Sequence, residues 1–119
     1  MKYSETHEWI EVKDGIGIVG VTNYAQKELG DIVYVELPQV DKNIIKGQEA
    51  VVLESTKAAA DVYSPVSGKI IEVNTTLNST SELVNTSPEA KGWLFKVLLS
   101  DVKELDELLE DEAYKAKFL

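Results

Sequence analysis

The chemistry open to this sequence centres on one amine. Residues 54–68 read ESTKAAADVYSPVSG, and within them Lys57 stands between an apolar run with β-propensity, Ala50-Val51-Val52-Leu53, and the strand-like Val62-Tyr63 and Ile70-Ile71-Glu72-Val73. Ser64-Pro65 and Ser67-Gly68 punctuate the stretch, so it reads as strand, tight turn, strand, with the lysine in the turn. Thr56 and Ala58-Ala59-Ala60 on either side are small, which leaves the lysine stem standing clear for another protein's cleft to close over it. Two chemistries suit such a lysine. As a Schiff-base nucleophile it would have to be a free amine at neutral pH, held so by desolvation or a neighbouring cation. Glu54 and Asp61, close by in sequence, favour the ammonium instead. As the acceptor of an activated acyl group it needs no such help, because an attaching enzyme binds the hairpin and supplies the activation in its own site. The nucleophile reading is weakened, and on these residues alone an ordinary surface lysine with no role stays open beside the carrier reading.

Few other groups compete. Cysteine is absent, which removes disulfides, thiolate nucleophiles and cysteine metal sites, so any redox chemistry has to arrive on a cofactor. His7 is the only histidine and has no partner pattern for a metal site or a Ser/His/Asp arrangement; a structural or merely exposed role is expected of it. The net charge of −9 over 119 residues argues against nucleic acid and anionic membrane surfaces, and suits protein partners with basic docking faces. No apolar stretch is long enough to span a bilayer, and MKYSETHEWIEV has neither signal-peptide nor transit-peptide character, so a cytoplasmic location is expected. The length suits a single domain over residues 1–119.

The stretch around Lys57 closely resembles the lipoyl-lysine segment of the glycine cleavage system H-protein family, whose usual pattern is E-S-V-K-A-x-x-D-x-Y-S-P-V-S-G. Thr56 stands where Val is commoner and Ala60 where Ser is frequent, both conservative in size at a turn. Other family landmarks follow in the family's order: His7-Glu8-Trp9, VTNYAQKELGD at 21–31, VYVELP at 33–38 and KGWLF at 91–95. Biotin carriers, by contrast, resemble one another in having Met on both sides of the lysine, where this chain has Thr56 and Ala58.

The resemblance implies lipoate attached to Lys57 by a lipoate attachment enzyme. It implies a carrier that takes an aminomethyl group from a pyridoxal-phosphate glycine decarboxylase (P protein) to a tetrahydrofolate-dependent aminomethyltransferase (T protein). Dihydrolipoamide dehydrogenase (L protein) then reoxidises the dihydrolipoyl group. Such a chain is a carrier rather than an enzyme, and a monomer when free of its partners. A relay that passes lipoyl groups to 2-oxoacid dehydrogenase subunits stays open as an alternative. The resemblance also points to Glu8 and Asp61 as acids near a parked, loaded arm, and to Glu28, where some relatives have a His, as a further acid able to attract the amine. A plain surface role for Glu8 and Asp61 stays open at this point.

The elements that must position these groups are mostly strands. Residues 7–13 and 16–21 read as a hairpin around Asp14-Gly15. A two-turn helix follows, with Thr22 as N-cap and Gly30 past its end, expected to cover one opening of a barrel or to face a partner beside the lysine. Residues 32–37 alternate as a half-buried strand stopped by Pro38, and Lys46-Gly47-Gln48 turns into the strand that carries the lysine. The capping-box spacing of Ser79-Thr80-Ser81-Glu82 predicts one helical turn at Leu83-Val84, residues 85–92 a loop, and residues 93–99 a strand too apolar to lie on a surface. Val102, Leu105 and Leu109 predict an acidic helix over 101–112, capped by Ser100, either solvated or docking a partner. Tyr114 and Phe118 predict a second short helix packed on the sheet. The fold class is mainly β; the family resemblance sharpens it to a barrel-sandwich hybrid, the flattened barrel of lipoyl domains, with short flanking helices and a C-terminal helical segment.

Overall fold

The computed structural model describes residues 1–119. β1 (Lys2–Tyr3) leads through the loop of residues 4–7 into β2 (Glu8–Lys13), which turns into β3 (Ile16–Val21). Asp14 and Gly15 both have positive φ, 53° and 78°, the backbone of a type I′ hairpin, for which Asp-Gly is a favoured pair. In α1 (Asn23–Leu29) the Thr22 hydroxyl accepts the Ala25 N–H, and Gly30 ends the helix with its own N–H on the carbonyl of Gln26. β4 (Ile32–Glu36), β5 (Asn43–Ile44), β6 (Glu49–Ser55), β7 (Ala59–Tyr63) and β8 (Gly68–Val73) follow. A 3₁₀ turn at Thr75–Asn78 and the single helical turn α2 (Leu83–Thr86) lead to β9 (Phe95–Leu99). The chain continues through a 3₁₀ helix at Val102–Glu107, β10 (Leu109–Glu110) and α3 (Asp111–Phe118).

Two antiparallel sheets result, one ordered β10-β1-β2-β3-β9-β8-β5 and the other β4-β6-β7. Alternation along each strand turns one set of side chains inward. Ile10, Val19, Phe95 and Val97 from the larger sheet meet Val35, Val51, Leu53 and Val62 from the smaller, all within one buried cluster of 16 residues, with Leu77 and Val84 from the helical turns in the same cluster. The mainly β, two-sheet architecture with short helices is the one the sequence predicts. Trp9, one residue out of phase with Ile10, joins Tyr3 and Tyr114 in a second cluster against which Trp93, Leu109 and Phe118 pack. Tyr3 and Tyr114 stack at 4.6 Å and the Trp9 indole N–H donates to the carbonyl of Pro88, so α3 lies on the β1–β2 corner.

The predicted helix over 101–112 is not there. Asp101, not Ser100, caps the segment by accepting the Lys103 N–H at 3.0 Å, and only the 3₁₀ helix forms before Leu109 and Glu110 extend to pair with Tyr3 and Lys2. One helical stripe cannot serve both clusters: Leu105 and Leu108 pack on the main core, Leu109 joins the aromatic cluster and Val102 is left 60% exposed. The open edge of β1 supplies the main-chain partners that a helix would have supplied internally. Three acids fasten the segment: Glu104 accepts the Ser67 N–H at 2.7 Å and its hydroxyl at 2.8 Å, Glu107 pairs with Lys46 and Glu110 with Lys2.

Smaller departures have equally local causes. The strand predicted from residue 93 starts at Phe95, because Asn74 Nδ2 donates to the carbonyls of Lys91 and Trp93. Within it Leu98 is 47% exposed, although a wholly buried strand was expected from its composition. The helical turn forms at Leu83 without a capping box; Glu82 stands at the cap with no side-chain bond, and Ser81 Oγ donates instead to the carbonyl of Ile32.

Candidate functional site

Lys57 sits in the turn between β6 and β7, exposed, as the sequence predicts. The turn is fastened from both sides. Ser55 N–H donates to the Ala58 carbonyl at 2.8 Å, and Ser55 Oγ accepts the N–H groups of Lys57 and Ala58, each at 3.1 Å. Thr56 N–H donates to the carbonyl of Asp31 at 3.0 Å, which pins the tip to the segment that leaves α1. That segment is in turn held by Asn85, whose Oδ1 accepts the Ile32 N–H at 2.8 Å and whose Nδ2 donates to the Gly30 carbonyl at 2.9 Å and to Gln26 Oε1 at 3.1 Å.

The lysine stem is less free than the small flanking residues suggest, because it leans on Gly30: a Cβ there would lie 3.3 Å from Lys57 Cε. Its ammonium makes no ion pair, whereas Lys2, Lys46, Lys69, Lys96, Lys115 and Lys117 are each held by a carboxylate. Glu54 and Asp61 are not its partners either. They lie back along the strands, opposite Ala59 and Val52.

A cleft of about 330 Å³ opens between α1, the start of β2 and the outer strand β7. It brings together Glu8, Glu28 and Asp61, the three acids singled out from the sequence, with Tyr24, Ala25 and Leu29 as its apolar wall. The acids differ in kind. Glu28 and Asp61 are exposed, whereas Glu8 is only 2% exposed, which rules out a plain surface role for it. Ser4 Oγ and Thr6 Oγ1 both donate to Glu8 Oε1 at 2.5 Å, and the Tyr63 N–H donates to Oε2 at 3.2 Å. Burial pushes the Glu8 carboxyl above the usual carboxylate range; the hydroxyls of Ser4 and Thr6 and the N–H of Tyr63 pull it back part of the way.

His7, beside it, is structural on one side and lines the cleft on the other. Its backbone has φ 73°, which closes the loop between β1 and β2, and its Nδ1 lies 2.8 Å from the Tyr114 hydroxyl, itself 2.8 Å from Thr22 Oγ1. The ring packs on Tyr24 at 4.5 Å and edge-on to Phe118 at 4.6 Å. Burial holds the imidazole below its ordinary range, against the opposing pull of Glu28. No group of three or more His, Cys, Asp or Glu side chains is placed to hold a metal ion.

The sequence pattern described as Glycine cleavage H-protein matches residues 1–119. The chain belongs to the glycine cleavage H-protein family. A family member from Thermotoga maritima, named glycine cleavage system H protein, is 53% identical over 114 residues, 96% of this chain and 92% of its own. One from Rhodospirillum rubrum is 53% identical over 115 residues, covering 96% and 91%. The crystal structure of a glycine cleavage system H protein from Mycobacterium marinum superposes with a TM-score of 0.90 at 35% identity, over 98% of this chain and 94% of that one.

Several residues of this site were not singled out from the sequence. Ser4 and Thr6 recur with Glu8 at a spacing of two, a signal for one shared side of an extended segment, but the loop carries them to the carboxylate by a route the spacing alone does not reveal. Asn85 read as the start of a loop. Its role depends on three main- and side-chain partners more than fifty residues away in sequence, which no local pattern announces.

Proposed function

We propose that Lys57 Nζ holds lipoate in amide linkage. On this reading the chain carries the aminomethyl group of glycine from glycine decarboxylase (P protein) to the tetrahydrofolate-dependent aminomethyltransferase (T protein), and dihydrolipoamide dehydrogenase (L protein) restores the disulfide. The observation that carries the reading is the state of Lys57: exposed and unpaired on a turn whose flanks are fixed by Ser55 and Asp31. A lipoate attachment enzyme can take in such an amine without unfolding anything. Bound lipoate supplies the disulfide that accepts the unit and the dithiol that is later reoxidised.

The protein's own residues position and protect. Ser55 and the Asp31 carbonyl fix where the arm is rooted. The cleft beside α1 fits a resting arm, with Tyr24, Ala25 and Leu29 for its apolar length and Glu8, Glu28 and Asp61 for a cationic amine at its end. A wider groove of about 420 Å³ on the β4–β6 pair is lined by exposed Glu36, Lys42 and Glu49 and suits an apolar arm less well. The proposal places the carrier in the cytoplasm as a monomer when free, with the bond changes left to the cofactor and the partner enzymes.

Peptide mass mapping after expression with lipoate tests the attachment. The acyl group is expected on Lys57 alone; modification of Lys46 or Lys69 with Lys57 untouched refutes the assignment. Lys57→Arg should abolish carriage while leaving thermal stability within about 0.5 kcal/mol of wild type, because the side chain is exposed and unpaired. Glycine-dependent loading of the modified chain by glycine decarboxylase then separates the glycine carrier from a lipoyl relay.

A further inference from the structure

One joint between α3 and the rest of the chain has room for a fixed number of protons. The Tyr114 hydroxyl lies 2.8 Å from His7 Nδ1 and 2.8 Å from Thr22 Oγ1, its two hydrogen-bond partners. Thr22 Oγ1 already accepts the Ala25 N–H at 3.2 Å as the cap of α1, so the Thr22 proton has only Tyr114 to go to. Two contacts hold two protons, and the two hydroxyls supply both. The arrangement that leaves none over is Thr22 donating to Tyr114 and Tyr114 donating to Nδ1. His7 is then neutral, with its proton on Nε2. A proton on Nδ1 would leave one hydroxyl proton without an acceptor, and water does not take its place, since Thr22 is 1% exposed and Tyr114 3%.

The joint ties three elements together. His7 belongs to the loop of residues 4–7, where its φ of 73° closes the turn; Thr22 opens α1, and Tyr114 stands midway along α3. The imidazole also packs edge-on to Phe118 at 4.6 Å, so α3 meets the ring with two residues one turn apart. The other ties of α3 are indifferent to mild acid. Tyr3 stacks on Tyr114 at 4.6 Å and donates to Asp111 at 3.0 Å, and Lys117 pairs with Glu5. Hydrogen bonds from Lys117 and Lys115 hold Glu5 and Asp111 below the usual carboxylate range, and burial raises Tyr3. These two acids therefore stay charged, and Tyr3 stays protonated, from about pH 5 to about pH 7.

We propose that Tyr114, backed by Thr22, is a positioning residue that holds His7 as the neutral Nε2–H tautomer and so latches α3 to the loop of residues 4–7, and that a proton on His7 opens the latch. The proposal stands apart from the role given to Lys57 and from any use of the cleft. Besides Tyr114, the charged and titratable groups that face His7 are Glu8 on β2, Tyr24 and Glu28 on α1, Asp61 on β7 and the Glu5–Lys117 pair between the loop and α3. Burial, with the filled hydrogen-bond chain, holds the ring below its ordinary 6.5 against the pull of Glu28. A ring lowered in this way binds its proton more readily once α3 lets go. The latch is therefore at full strength above about pH 6.5 and weakens as pH falls from there through the lowered value.

The chain has one histidine, so its ring nitrogens give one set of signals. In the unmodified chain labelled with ¹⁵N-histidine, long-range ¹H–¹⁵N spectra should show the Nε2–H tautomer at neutral pH and a midpoint below 6.5. Tyr114→Phe keeps the ring packing and removes the hydroxyl; the His7 midpoint should move upward in it and both tautomers should appear. Thr22→Ser, which keeps the donor, should match wild type. Amide protection in α3, corrected for the intrinsic exchange rate, should fall between about pH 7.5 and about pH 5.5, by at most about tenfold for each pH unit that separates the docked ring's midpoint from that of free histidine. His7→Asn, chosen because asparagine tolerates a left-handed backbone, should lose this pH dependence. Glu8→Gln, which removes a carboxyl that burial pushes up toward the same range, should keep it.

An Nδ1–H tautomer in wild type, or a midpoint unmoved in Tyr114→Phe, overturns the role given to the hydroxyls. Protection of α3 that is the same at both pH values in wild type, or that falls as far in His7→Asn, overturns the latch.

Discussion

Replacing Gly30 by alanine should disturb both the fold and the lysine's seat, and the two effects separate cleanly. Gly30 has φ 81° and ψ −162°, a region of backbone space that is essentially closed to residues with a Cβ. Forcing alanine into it costs about 1–3 kcal/mol. Relaxing the backbone instead would draw Gly30 off its hydrogen bonds to Gln26 and Asn85, at similar expense. Unfolding entropy of about 2.1 cal/mol/K per residue gives about 0.25 kcal/mol/K for 119 residues, so Tm should fall by about 4–12 °C. The added methyl would also stand 3.3 Å from Lys57 Cε, but that is the far part of a flexible side chain, and its displacement should contribute little. Thermal unfolding of Gly30→Ala, with and without Lys57→Ala, divides the loss. The backbone account predicts that removing the lysine stem restores almost none of the Tm. A drop of less than about 2 °C, or full recovery in the double variant, would falsify it. The lysine's rate of acylation by the attachment enzyme should change in Gly30→Ala even at temperatures where it remains folded, because the stem loses the surface it leans on.

Asn85→Ala leaves the Ile32 N–H and the Gly30 carbonyl without their partners and should cost about 2–4 kcal/mol in urea unfolding, with slower acylation of Lys57 because the Asp31 anchor loosens; a loss under about 0.5 kcal/mol would show that water replaces the amide. Glu8→Gln should alter the pH dependence of stability in a definite direction. The folded-state carboxyl of Glu8 lies above its ordinary value, so the native state keeps a proton that the unfolded chain releases, and wild-type stability declines as pH rises from about 4.5 through the raised value. The variant lacks that decline: urea curves for the two should converge at low pH and diverge above it with Glu8→Gln the more stable, and parallel curves would refute the shift. Encounter with partner enzymes should weaken as salt rises and the Debye length shrinks from about 10 Å toward about 3 Å, as the net charge of −9 suggests; an association rate flat across that range, measured by stopped flow, would make docking apolar.

The hairpin at Asp14-Gly15, the capped helix after Thr22 and the lysine turn were all legible because each rests on chemistry within a few residues. The acidic C-terminal stretch was misread for the opposite reason. Its spacing fits a helix, but the unpaired edge of β1, more than a hundred residues away, outcompetes the helix for Leu109 and Glu110. At the site, the family resemblance pointed to Glu8, Asp61 and Glu28, and the fold does set them around one cleft. That Glu8 is buried while the other two are exposed could not be read from residue type, since a carboxylate among polar neighbours, SETHE, reads as surface until the loop is seen to fold its hydroxyls inward.

The pairing of β1 with β10 joins Lys2 to Glu110 and Tyr3 to Leu109, whereas the two strands that flank the Lys57 turn pair residues fewer than fifteen apart. Loop closure over so many residues is slow relative to a local hairpin. In a chain emerging from the ribosome, the hairpin that bears Lys57, the proposed acceptor, can therefore pair while Tyr114, which steadies His7 at the cleft, is still unsynthesised. On the proposed role, a nascent chain can offer its lysine to an acylating enzyme before α3 braces the cleft that would shelter the arm, and a truncation that removes α3 should leave acylation almost unchanged while shortening the lifetime of the load.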